Sequence, residues 1–189
     1  MRLIIGISGS TGAIYGVRLL EVLHQLPGIE IHLVMSEGAK ATISYETEYQ
    51  LEEVTAWAHT VHDPRNVGAS IASGTFLTSG MIVAPCSMKT LSSIANSYND
   101  NLLTRAADVC LKERRRLVLL VRETPLHLGH LRLMTTVTES GGIILPPVPG
   151  FYQKPRTMLD LVDHSLGKAL DLFAIEHHLY PRWSGLPES

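Results

Sequence analysis

The 189-residue chain has few of the residues that mark secreted or metal-stapled folds: two cysteines, two tryptophans and three phenylalanines. Cys86 and Cys110 make no disulfide framework, and neither belongs to a CxxC pair, which points to a reducing compartment. An excess of one charge is missing as well. Sixteen basic and 18 acidic residues leave a net charge of −2, with no footprint for nucleic acid. No apolar run approaches the ~20 residues of a membrane-spanning helix. The apolar start is too short for a signal peptide and turns at once into a glycine loop. The expectation is therefore a cytoplasmic chain with no membrane span. There is no repeat, low-complexity tract or linker, so one domain over 1–189 is expected. The nine histidines show no metal spacing: His127 and His130 stand three apart without a third ligand.

What the chain does have is alternation. Short runs rich in β-branched residues or leucine (3–7, 29–35, 81–85, 117–121, 143–145) alternate with segments of helical period (13–26, 104–115, 159–173). Strand alternating with helix predicts an α/β fold, a doubly wound parallel sheet covered on both faces in three layers. Residues 45–78, polar and interrupted by Pro64 and Gly68, read as a helix plus a long loop. Ligands of such folds gather at the carboxyl ends of the strands. Attention therefore falls on Gly9-Ser10-Thr11-Gly12, Ser36, the segment 86–90, Arg122-Glu123 and the segment 146–152.

The loop Gly6-x-x-Gly9-x-x-Gly12 is neither GxGxxG nor followed by GK[ST], which excludes a Walker A loop. It reads equally as a tight turn packing helix on sheet or as an anion cradle at a helix N-terminus, with Ser10 and Thr11 favouring the anion. In "PCSMKT", Cys86 reads as an inert buried thiol, while Ser87 and Thr90 read as capping and ligand-binding hydroxyls. Arg105 and Lys112, seven apart, share a helix face beside Asp108; alone, they read as a solvated salt-bridge face. Arg122 and Glu123 follow an apolar strand, where an arginine suits phosphate recognition. "LPPVPGFYQKP" stiffens a loop that presents Phe151 and Tyr152, either as a pocket wall or as an oligomer contact.

Taken in order, the segments "GISGSTGAIYGVRLL", "MSEGAKATISYETEY", "IASGTF", "PCSMKTLSSIA", "NLLTRAADVCLKERRRLVLLVRETPLHLGHLRLM", "GGIILPPVPGFYQKP" and "YPRW" resemble the UbiX-type flavin prenyltransferases, within the flavin-containing cysteine decarboxylase-like family. That resemblance implies a flavodoxin/Rossmann-like fold and a homo-oligomer, often a dodecamer. It implies transfer of a dimethylallyl group from dimethylallyl monophosphate to reduced FMN. The product, prenylated FMN with a fourth ring across N5 and C6, serves UbiD-type decarboxylases. No metal is required.

By resemblance, FMN is bound by Gly9, Ser10, Thr11, Ser36, Ser87, Met88, Lys89, Thr90 and Arg122. Tyr152 and Lys168 take the prenyl phosphate, and Arg105, Lys112, Glu123, Glu46 and Trp183 complete the catalytic set. A C-terminal tail from about residue 176 packs on the site or on a neighbouring subunit. Two positions depart from the family pattern: Thr11 stands in a loop that many relatives write GASG, and Lys168 stands where arginine is common. Two other functions are compatible with the same segments, a direct FMN-dependent decarboxylase and a non-enzymatic FMN carrier. The first lacks the histidine expected of peptidyl-cysteine decarboxylases, since Tyr15 and Gly16 stand there.

Overall fold

The computed structural model describes residues 1–185. Six strands form one parallel sheet: β1 (Arg2–Ile7), β2 (Glu30–Met35), β3 (Thr60–His62), β4 (Gly80–Cys86), β5 (Arg116–Val121) and β6 (Ile143–Ile144). Their order is β3-β2-β1-β4-β5-β6. This is the doubly wound order of Rossmann folds, so the predicted fold class is the observed one. The chain reverses direction across the sheet between β1 and β4.

Seven helices connect the strands: α1 (Ala13–Gln25), α2 (Glu37–Glu46), α3 (Leu51–Ala56), α4 (Met88–Ala95), α5 (Leu102–Lys112), α6 (Leu128–Glu139) and α7 (Met158–Asp171). Right-handed crossovers on either side of the reversal send α1 and α5 to opposite faces. On one face, Ile4, Val34, Met81, Val83, Leu117 and Leu119 pack against Leu91, Leu103, Ala106, Ala107 and Cys110 of α4 and α5. On the other, α1 lies over β1, β2 and β4 and buries Val17, Leu20 and Leu23.

The chain divides into two compact units, Met1–Pro147 and a second from Val148 onward. The first holds the whole sheet. The second is built around α7, whose N-terminus is closed by a capping box of Thr157 and Asp160 and whose buried stripe is Val162, Leu166, Ala169 and Leu170. The last four residues of the expected tail lie outside the described residues.

Three differences from the sequence reading have simple causes. The helix read over 104–115 starts at Leu102, because the Asn101 side chain accepts from Thr104 N at 3.0 Å. It stops at Lys112, since Arg114 takes a left-handed φ of 57°. Within 45–78, α3 and the edge strand β3 are too short, and too exposed in β3, to carry a period.

Candidate active site

The carboxyl ends of β1 and β4 are joined by one buried serine. Ser8 Oγ donates to Pro85 O at 2.8 Å and accepts from Ser87 N at 2.7 Å, closing the switch point of the sheet. Ser10 Oγ donates to Arg122 O at 3.1 Å, and Arg122 N to Cys86 O at 3.1 Å, so the end of β5 joins the same rim. Ser36 N donates to Ile7 O at 3.0 Å and its hydroxyl caps α2 by accepting from Ala39 N. Gly9 faces Gly38 so closely that a Cβ on Gly9 would lie 2.8 Å from the Gly38 backbone. The glycine there is a requirement of two loops touching.

These contacts bring Gly9, Ser10, Thr11, Ser36, Ser87 and Arg122 to one rim. Met88, Lys89 and Thr90 form the first turn of α4 beside them, where Ser87 Oγ accepts from Thr90 N and donates to Thr90 Oγ1 at 3.1 Å. The N-termini of α1, α2 and α4 all point to this end of the sheet, each with the positive end of its dipole.

The anion held at the start of α1 is the protein's own. Glu46, the last residue of α2, accepts from Gly12 N at 2.7 Å and Ala13 N at 3.0 Å. Two of the amides that an anion cradle at that helix start would offer are thus taken by Glu46. Burial pushes the Glu46 carboxyl upward, but the Thr11 hydroxyl, the amides of Ala13 and Gly12 and the nearby Arg122 charge outweigh it and hold the group below its ordinary value. Glu46 is therefore a carboxylate locked to the glycine loop. Glu123 is exposed, and its Oε1 accepts from Thr124 N.

The two cations of α5 do not join this rim. Arg105 pairs with Asp108 at 2.8 Å and donates from Nε to Ala72 O at 3.2 Å, the salt-bridge role that its spacing allowed. Lys112 ends α5 before β5 begins, pairs with Glu113 and lies beside Gly74, in the segment leading into β4. Arg122 follows the far end of β5. A six-residue strand at ~3.3 Å per residue sets the two roughly 15–20 Å apart, at opposite ends of β5. Cys86 is fully buried, and burial drives its thiol far above the ordinary range, so it is no nucleophile.

The second unit gathers its own predicted residues. The Tyr152 and Trp183 rings meet edge to face at 5.8 Å. Lys168 stands one turn beyond His164 on α7, near enough for its charge to act on the imidazole. Tyr152 Oη lies 3.0 Å from His164 Nε2. Asp171 ties down the tail: it pairs with Arg182 at 2.6 Å, accepts from the Tyr180 hydroxyl and lies 3.2 Å from His177 Nε2. Sequence reasoning missed Ser8, His164 and Asp171. Ser8 stood in the quoted loop, and the i, i+4 spacing of His164 and Lys168 was the available signal for the second.

The residues at the β1–β4 switch suit a mononucleotide carrying a dianionic phosphate: the starts of α2 and α4, four hydroxyls and Arg122, with the start of α1 already paired to Glu46. Among the described residues, no cluster of three or more histidine, cysteine, aspartate or glutamate side chains is placed to hold a metal ion.

Fold and rim together define a flavoprotein of the doubly wound class, and the Flavoprotein family model matches residues 1–169. The chain is 57% identical over 188 residues to the flavin prenyltransferase UbiX of Thauera aromatica, covering all of this chain and 96% of that one. AnUbiX, solved in complex with FMN and dimethylallyl pyrophosphate, superposes with a TM-score of 0.96 at 49% identity over 98% of both chains. A dodecameric FMN-dependent UbiX-like decarboxylase from Escherichia coli O157:H7 gives the same TM-score and identity over 98% of this chain and all of that one. The chain belongs to the UbiX flavin prenyltransferase family.

Proposed function

We propose that this chain transfers a dimethylallyl group from dimethylallyl monophosphate to N5 and C6 of reduced FMN, and that the prenylated flavin passes to a UbiD-type decarboxylase. The observation that carries the reading is the rim at the β1–β4 switch, where helix starts, hydroxyls and Arg122 surround a carboxylate that stays ionised. Gly9, Ser10, Thr11, Ser36, the segment Ser87 to Thr90 and Arg122 hold FMN. The reduced flavin supplies the nucleophile.

The chain's own part is to stabilise a departing phosphate and to exclude water from an allylic cation. Tyr152 and Lys168 bind that phosphate, and Trp183 offers the aromatic face. Lys168 supplies a point charge where an arginine would supply a fork, so the phenol carries more of the orientation. Glu46, on which the Arg122 charge acts, and Glu123, its chain neighbour, are the proton-transfer groups. Lys112, beyond the amino end of β5, serves a phosphate from a neighbouring copy, and Arg105 assists from the same helix. The dodecameric assembly named for a relative supports that role. The two thiols are unpaired and buried, and no described helix is long and apolar enough to cross a membrane. Both features support a cytoplasmic setting.

Anaerobic incubation with reduced FMN and dimethylallyl monophosphate should release a flavin heavier by one five-carbon unit, with the diphosphate as a parallel arm. An unchanged flavin with both donors, together with carbon dioxide release from an aromatic acid by the isolated protein, would move the assignment to direct decarboxylation.

A further inference from the structure

His164 makes a contact that the assigned roles leave unexplained. Its Nε2 lies 3.0 Å from Tyr152 Oη, and the two rings meet edge to face at 5.6 Å. Its other nitrogen, Nδ1, is buried with no hydrogen-bonding partner. The ring is held on two further sides. Gly150 leaves room for it, since a Cβ there would lie 2.7 Å from the imidazole Cε1, and the Tyr180 ring packs at 5.1 Å.

Hydrogen-bond accounting fixes the tautomer. A proton on Nδ1 would bury an N–H with nothing to accept it, and orphaned buried N–H groups are rarer than unpaired acceptors. The proton therefore sits on Nε2, which donates to the phenolic oxygen. Burial and the Lys168 charge one turn away both oppose a second proton on the ring. With its oxygen already accepting, Tyr152 keeps its own O–H free to donate, and its side chain is half exposed.

We propose that His164 is a positioning residue: it accepts nothing from Tyr152 and fixes the phenol so that the hydroxyl proton points at the phosphate of the prenyl donor. The inference rests on the assignment of Tyr152 to that phosphate. It adds a residue that orients the donor group and keeps the phenol from spending its proton on the imidazole.

The test is a double-mutant cycle on the full-length protein, read as separate KM and kcat with dimethylallyl monophosphate. Tyr152→Phe and His164→Phe should each raise KM about tenfold, with kcat changed less than about twofold and FMN retention intact. In the Tyr152→Phe background, His164→Phe should add less than about twofold. His164→Gln, whose amide N–H reaches the position of Nε2, should lie near wild type. His164→Asn, whose amide matches Nδ1 and falls short of the phenol, should behave as His164→Phe does; this pair decides the matter if the phenylalanine variant does not fold. A raised KM in Tyr152→Phe with an unchanged KM in His164→Phe or His164→Asn would overturn the positioning role and leave the phosphate assignment standing. Full additivity would also overturn it. An unchanged KM in Tyr152→Phe would overturn the phosphate assignment itself, and this inference with it.

Discussion

Glu46 is the side chain that closes the glycine loop onto the start of α1. Its carboxylate accepts from Gly12 N and Ala13 N at the start of α1, which holds a charged group within reach of the Arg122 charge. Because the folded protein holds this carboxyl below the ordinary value of 4.5, the charged form favours the fold. That contribution is complete above about pH 5 and fades as pH falls through the folded value. The thermal midpoint of the wild type should therefore drop more steeply between about pH 5 and 3 than that of Glu46→Gln. Equal slopes would show that the carboxylate contributes nothing there. The same substitution should slow prenyl transfer on the order of 10²-fold as a proton-transfer group is lost, with FMN binding weakened less than about tenfold.

At the scale of elements, the site depends on staples between strand ends. Ser8→Ala would leave Ser87 N without its partner and Pro85 O with only the Ser8 backbone N–H, at 3.2 Å, to join β1 to β4. An unpaired buried polar group costs about 1–3 kcal/mol, visible as a lower urea midpoint at unchanged slope; a change under about 0.5 kcal/mol would show that the two ends are held otherwise. On α7, a Cβ at Gly167 would fall 2.3 Å from the Tyr180 ring. Gly167→Ala should displace that ring and cost about 1–3 kcal/mol by overpacking, read in the same urea titration. A neutral Gly167→Ala would show that the tail is not seated there.

The elements also show what could be read in advance. Strands β1, β2, β4 and β5 were legible because burial on both faces forces continuous apolar runs. β3 was not, since an exposed edge strand of three residues carries no such run. The post-strand serines and Arg122 could be placed from topology alone. The Glu46 contact could not, because it joins residues 34 apart through a side-chain bond that no local pattern encodes.

At the scale of the whole molecule, the same limit explains Lys112. Its spacing from Arg105 was readable, but the direction of α5 along the sheet decides which end of the strands it reaches, and that end is opposite to Arg122. A site that uses both cations must draw them from different copies. Leu126, Leu128 and Leu131, all 42% or more exposed around the start of α6, give such an assembly apolar surface to bury. If this chain assembles like its dodecameric relative, it will elute near 250 kDa, about twelve times the 20.8 kDa chain.

The most direct test coexpresses Lys112→Ala with Arg122→Ala and measures prenylated flavin formed anaerobically. Each variant alone should be nearly inactive, while mixed assemblies should regain about a quarter of the wild-type rate, the statistical share of sites with both cations intact. A wild type that forms no prenylated flavin, or mixtures no more active than their parents, would contradict the account.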